Sequence, residues 1–246
     1  MANLNEDDKK SPESASVYLE LTSAHTGWSW WEEAVAHVDD AMAQDGGHDW
    51  GHLGRVFMNA RNLCQAEARG QDETWLIVAT AALFHDVVNL PKNSPERHLA
   101  STYAAKHAAD WLKAHTPLDD DTIDAVSEAI RCHSFSSGFV AESLPAQIVS
   151  DADRLDALGA IGIARTFFVG GVLDRPLFHP TDPLAEERQA DDGVWSVDHF
   201  FIKLLELPGK MYTNAGLEEG SRRADYMREF LTRLKQEALS GTNTPS

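Results

Sequence analysis

The sequence predicts an all-α fold, and three observations carry that expectation. Apolar residues recur at three- and four-residue spacing through nearly the whole chain, start and stop residues fall at the ends of those runs, and no alternating run marks a strand. Trp30, Trp31, Ala34, Val35 and Val38 form the first such set. After the loop GGHDWGH, Leu53, Val56, Phe57, Ala60 and Leu63 continue it until Gly70. Asp72 opens a run with Trp75, Leu76, Val78, Ala79, Ala82 and Leu83 that is apolar on nearly all sides, as expected of a central helix. Further helices are expected from Ser94 to about His115, with Pro95 in the first turn, and from Asp121 to about Cys132. Another runs from Leu144, with Pro145 near its start, through SDADRLDALGAIGIARTFF. The stretch from Gly170 to about Val194 is rich in Pro and Gly and aperiodic, and reads as a long loop or lid before two last helices, Val197–Leu207 and Leu217–Leu239. Residues 1–16, which are acidic, and 240–246 lack apolar spacing and read as disordered tails around a single domain over 17–239.

Composition bounds the function. The 246 residues include 21 Lys and Arg against 39 Asp and Glu, a formal charge of −18. Affinity for nucleic acid comes largely from cations neutralising phosphates, so a nucleic-acid polymer is not an expected partner. No stretch of about 18 apolar residues offers a membrane span. The polar start lacks the features of a secretory signal, and Cys64 and Cys132 form no disulfide framework, so a cytoplasmic location is expected. Oligomeric state leaves no trace. Eleven histidines are the unusual count.

Several of those histidines lie in polar segments where helix ends should meet: HDWGHLGRV, LFHDVVN, NSPERHLAS with IRCHS, and IVSDADRLDALG. His85 and Asp86 arrive at the end of the most apolar helix. A buried imidazole beside a buried carboxylate is costly unless a cation or a satisfied hydrogen bond accompanies them. If the helices bundle, His52, His85, Asp86 and Asp153 can converge on one ion. That mixed set suits Mn, Fe, Ni, Co or Zn, with Mg less favoured, and the lack of Cys argues against a structural zinc. Asp151 is the alternative to Asp153, and Asp156 is a further pocket residue or the partner of Arg154. His48 and Asp49 either cap the helix or line the pocket mouth. Their H-D-x-x-H pattern, a shortened form of a zinc-protease motif, lacks a third ligand immediately downstream. Lys92, Arg97 and Lys203 are cations able to meet a substrate phosphate or to pair with surface carboxylates. His25, His37, His107, His115 and His179 show no clustering and read as surface or packing residues. Trp30, Trp31, Trp75 and Trp111 read as packing, and Trp50 as packing or pocket lining.

The order HLGRV, then HD, then ADRLD in an all-α chain resembles the HD-domain superfamily of metal-dependent phosphohydrolases. With ERHLAS and HFFIKLLELPGKMYTNAG it is similar to the YedJ-like branch of that superfamily, over roughly residues 30–235. The resemblance implies an HD-domain helical bundle whose metal ligands are His52, His85, Asp86 and Asp153. In two-metal relatives further histidines hold a second ion, and His98 and His133 stand at comparable places, as second-ion ligands or as groups orienting the first set. The GYP signature is absent, so cleavage of cyclic dinucleotides is not implied. The expected activity is hydrolysis of a phosphate ester in a small phosphorylated metabolite, a nucleotide first among them, by metal-activated water. The general acid is open among Asp49, Glu96 and Asp156. Two alternatives stand beside it: a di-iron oxygenase on the same fold, and a non-catalytic module that senses a nucleotide.

Overall fold

The computed structural model describes residues 12–42, 49–68, 71–90, 94–134 and 138–240. Among these the chain is all-α, and it divides into two compact units, Met1–Asp153 and Arg154–Ser246.

The first unit contains α1 (Pro12–Ser23), α2 (Trp31–Ala41), α3 (Trp50–Glu67), α4 (Asp72–Phe84), α5 (Ala100–His115), α6 (Asp120–His133) and most of α7 (Leu144–Asp156). The first helix begins at Pro12, so residues 12–16 are helical where a tail is expected. A proline at the first helical position needs no N–H partner and presets the backbone angle, which is the start signal that polarity conceals. Residues 1–11 and 241–246 of the expected tails lie outside the described residues. As its apolar surface demands, α4 is central: it packs on α3, α6, α2 and α5, and Val78, Ala79, Ala81, Ala82, Leu83 and Phe84 are fully buried. Asp119 caps α6 by accepting the Thr122 N–H at 2.8 Å. A single 3₁₀ turn, Arg97–Leu99, precedes α5. Cys64 and Cys132 are both buried and free, and no single helix among the described residues is long and apolar enough to cross a membrane.

The second unit holds α8 (Gly159–Val172), α9 (Asp198–Ile202), a 3₁₀ stretch Leu204–Lys210 and α10 (Asn214–Leu239). One helix is expected from Leu144 through Phe168, but the chain breaks between α7 and α8. Ala157 and Leu158 close a tight turn by donating N–H groups to Arg154 and Leu155 carbonyls, and Gly159 follows at φ 69°, a conformation that favours glycine. The expected Val197–Leu207 helix is likewise short, passing at Lys203 into the 3₁₀ stretch, which contains Pro208 and ends at Lys210. The last helix starts at Asn214, earlier than Leu217, because Thr213 caps it through the Gly216 N–H at 3.0 Å. The turn before α8 leaves no room at Gly162, and Met227 of α10 closes over it. A Cβ there would sit 2.2 Å from the Ala157 carbonyl oxygen and 3.3 Å from Met227. Gly162→Ala is expected to destabilise the protein by about 1–3 kcal/mol, read from the urea midpoint.

Of the loop or lid expected from Gly170 to about Val194, residues 170–172 end α8, and the stretch 173–197 contains no helix but is tied down. Asp198 is fully buried and accepts both Arg188 Nη groups, at 2.5 and 2.6 Å, and the Asp191 N–H at 2.6 Å. Asp182 accepts the N–H groups of Glu186 and Glu187 within the same loop.

Candidate metal centre

Four elements of the first unit deliver the site. Asp49 caps α3 by accepting the His52 N–H at 2.8 Å, which fixes His52 in the first turn. Of the two readings of Asp49, capping is the one its geometry supports; His48 lies outside the described residues. His85 stands at the C-cap of α4 with Asp86 next, so the pair leaves the apolar core where the helix ends. His133 is the last residue of α6. Asp153 rides on α7, and Asn59, two turns along α3 from His52, donates to the Ala152 carbonyl at 3.2 Å, tying α3 to the turn that carries it.

These side chains converge. His52 Nε2 lies 3.2 Å from His85 Nε2, 3.4 Å from Asp86 Oδ2 and 3.5 Å from Asp153 Oδ1. His133 Nε2 is 3.6 Å from Asp86 Oδ1. Among the described residues, two overlapping groups could hold a metal ion: His52, His85 and Asp153, and His85, Asp86 and His133. In each, the ligand atoms lie within 4.8 Å of one another. Asp153, not the fully buried Asp151, belongs to this constellation.

The donor set fits a divalent ion chemically. His85 Nδ1 faces the Ala82 carbonyl at 2.9 Å and His133 Nδ1 the Ile130 carbonyl at 2.6 Å. A carbonyl only accepts, so each Nδ1 carries the proton and each Nε2 presents its lone pair to the centre. Burial, aided by His133 and His52 and opposed by Asp86 and Asp153, pulls His85 down to about 4. Burial would raise Asp86, but His85, His133 and His52 together hold its carboxyl well below the usual range. Burial would lower His133, and Asp86 and Asp153 outweigh it and raise it. A neutral His85 beside an ionised Asp86 gives the protonation states a cation needs.

The depressed His85 value predicts a pH dependence. The unfolded chain takes up a proton at this residue below its ordinary 6.5, whereas the folded chain resists until about 4. Its contribution is therefore complete above pH 6.5 and declines as pH falls toward 4, by on the order of 2 kcal/mol at pH 5. In metal-free buffer the urea midpoint of His85→Gln should fall less between pH 7 and pH 5 than that of the wild type.

The other expected site residues are placed differently. His98 is exposed on the 3₁₀ turn, its Nδ1 3.1 Å from the Pro95 carbonyl, and joins neither metal-binding group. Arg97 Nη1 donates to the Leu90 carbonyl at 2.6 Å. Lys92 lies outside the described residues. Lys203 is exposed and Asp156 buried, both in the second unit, where Asp156 is ion-paired to Arg165 at 2.5 Å. Trp50 is buried, donating to Asp39 at 2.6 Å and packing against Tyr18, so it belongs to the core. His37 and His107, expected to be scattered, meet each other at 2.7 Å.

The chain is similar to known proteins. Residues 49–158 match the family model of the HD domain, a span that runs from the cap of α3 past Asp153. The uncharacterized protein YpgQ of Bacillus subtilis (strain 168) is 31% identical over 198 residues, 79% of this chain and 86% of that protein. An HD-superfamily hydrolase from Bacillus thuringiensis has a solved structure that is 30% identical, with a TM-score of 0.60 over 92% of this chain and 94% of its own. The structure of Bacillus subtilis YpgQ in complex with ADP is 28% identical, with a TM-score of 0.61 over 83% of this chain and 97% of that one. With the family model spanning His52, the His85–Asp86 pair and Asp153, and with that extent of identity, the chain belongs to the HD-domain family.

Proposed function

We propose that the protein hydrolyses a phosphate ester in a small phosphorylated metabolite, a nucleotide first among them, with residues 17–239 as its functional domain. His52, His85, Asp86 and Asp153 would hold a divalent transition metal, and His133 would orient Asp86 or join the ligands. The observation that carries this reading is the convergence of three buried imidazoles, through their Nε2 atoms, with two half-buried carboxylates in the first unit. Mn, Fe, Ni, Co and Zn suit such a set better than Mg. When bound there, a divalent ion lowers the pKa of a coordinated water toward neutrality and offsets phosphoryl charge. The chain's own contributions are distinct. The carbonyls of Ala82 and Ile130 hold the His85 and His133 rings in one tautomer, and burial keeps His85 neutral. Asp86 stays ionised, able to orient a water by accepting its proton in a hydrogen bond. Lys92 and Arg97, which follow the His-Asp pair in sequence, are assigned to substrate phosphate.

That Bacillus subtilis YpgQ is described in complex with ADP supports a nucleotide as the ligand class. The test is a phosphate-release screen of nucleotides and sugar phosphates, with Mn, Ni, Co, Zn and Mg added in turn to metal-stripped protein. Metal-dependent release from a nucleotide is the expected result. Tight nucleotide binding with no release under any metal would make the protein a sensor, and oxygen consumption with iron would make it an oxygenase.

A further inference from the structure

Helix α8 stands out in the second unit by what it shows to solvent. Its inner side, with Gly159, Gly162, Thr166 and Gly170 buried, packs on α10. Its outer side is exposed at Ala160, Ile161, Ala164, Phe168, Gly171 and Val172, which recur at helical spacing and so form one continuous stripe. Phe168 keeps 53% of its surface and Val172 69%. The charge beside the stripe, Arg165, is bound to the buried carboxylate of Asp156 at 2.5 Å. The exposed side of α10, by contrast, carries Glu218, Arg222, Asp225, Arg228 and Glu229. A helix that is apolar on its outer side as well as its inner side has the pattern of one packed between two neighbours.

We propose that the second neighbour is α8 of another copy of this chain, packed antiparallel about a two-fold axis level with Thr166. Residues equally far from Thr166 on the two helices then stand at the same height. Phe168 meets the partner's Ala164, Ile161 the partner's Gly171, and Val172 the partner's Ala160. Each large side chain faces a small one, and two-fold symmetry makes every pairing occur twice. The room for this is open, since a Cβ at Gly171 would meet nothing within 4 Å. The terminal segments outside the described residues, MANLNEDDKKS and GTNTPS, are too polar to cover the stripe themselves. At a formal charge of −18 two copies repel each other over most of their surface, and an uncharged stripe is where they approach at least cost. The 14 residues of α8 span about 21 Å. Side-by-side contact over that length removes on the order of 400–500 Å² from each copy, close to the total of about 1,000 Å² at which specific interfaces begin. A dimer in the micromolar range is therefore expected rather than a permanent one.

Sedimentation equilibrium of the full-length chain between about 1 and 200 µM tests the pairing, with far-ultraviolet circular dichroism checking the fold of each variant. The wild type should pass from monomer to dimer within that range. Phe168→Glu places a charge at the centre of the contact and should weaken association about a hundredfold or more. Ala164→Leu separates a specific packing from a merely sticky surface. It makes the stripe more apolar, yet it should weaken the dimer at least about tenfold, because it fills the space that Phe168 of the other copy needs. Both positions are exposed, so neither change disturbs the core. A wild type that stays monomeric throughout, a folded Phe168→Glu that dimerises as the wild type does, or an Ala164→Leu that associates more tightly would each overturn the proposal. A monomeric wild type that co-sediments with phosphatidylcholine vesicles would overturn it too, giving the stripe to a membrane surface instead.

Discussion

Asp86→Ala should lose both tight metal binding and hydrolysis, with turnover falling at least about a hundredfold, while helix content is unchanged. Removing a group that merely orients a ligand typically costs 10- to 100-fold, and Asp86 stands closer to the centre than that. Its Oδ2 lies 3.4 Å from both His52 and His85 Nε2, and its Oδ1 3.6 Å from His133 Nε2. Without it, the three imidazoles would keep only the more exposed Asp153 carboxylate, 3.5 Å from His52, as an anion. Asp86 follows the end of α4 rather than sitting inside it, so a smaller side chain opens no gap within the buried helix. Calorimetric titration with Mn and circular dichroism on the same sample separate a lost site from a lost fold.

Asp198→Ala should be the most destabilising change in the second unit, by about 3 kcal/mol. Its carboxylate is fully buried and accepts two Arg188 N–H groups and the Asp191 N–H, so truncation strands a backbone donor and leaves the guanidinium only its longer contacts to Asp182 and the Gln189 carbonyl. Because the Arg188 side chain keeps 21% exposure, some water can reach it, which places the effect at the lower end for a broken buried pair. The loop of residues 173–197 should then open to protease before the helices do, and limited proteolysis with mass spectrometry would locate the first cuts. Unchanged stability would mean that the loop is held by other contacts.

How much of this was legible in the sequence depended on whether a signal was local. The centrality of α4 is written in a run apolar on all sides, and the His85–Asp86 pair announces itself by ending that run. A short polar interruption between apolar residues narrowed the last carboxylate to Asp153 or Asp151, and the family resemblance favoured Asp153. The break before α8 was not legible, since apolar spacing continues across it and only the positive φ of Gly159 marks the turn. Arg188 and Asp198 lie ten residues apart in an aperiodic stretch, where nothing distinguishes them from other charged residues until the loop is folded. The His37–His107 contact joins residues 70 apart with no motif around either, so only the packing of the helices brings it into view. His98 shows the opposite case: its position in the order of motifs matched a ligand's, but the 3₁₀ turn leaves it exposed and turned to the Pro95 carbonyl.

Hydrolysis in ¹⁸O-labelled water tests the central claim most directly. With Mn added and a nucleotide that turns over, the account predicts that one ¹⁸O appears on phosphorus in a product, and that Asp86→Ala abolishes its appearance. Product formed without label on phosphorus, or labelling that persists at full rate in the Asp86→Ala protein, would contradict it.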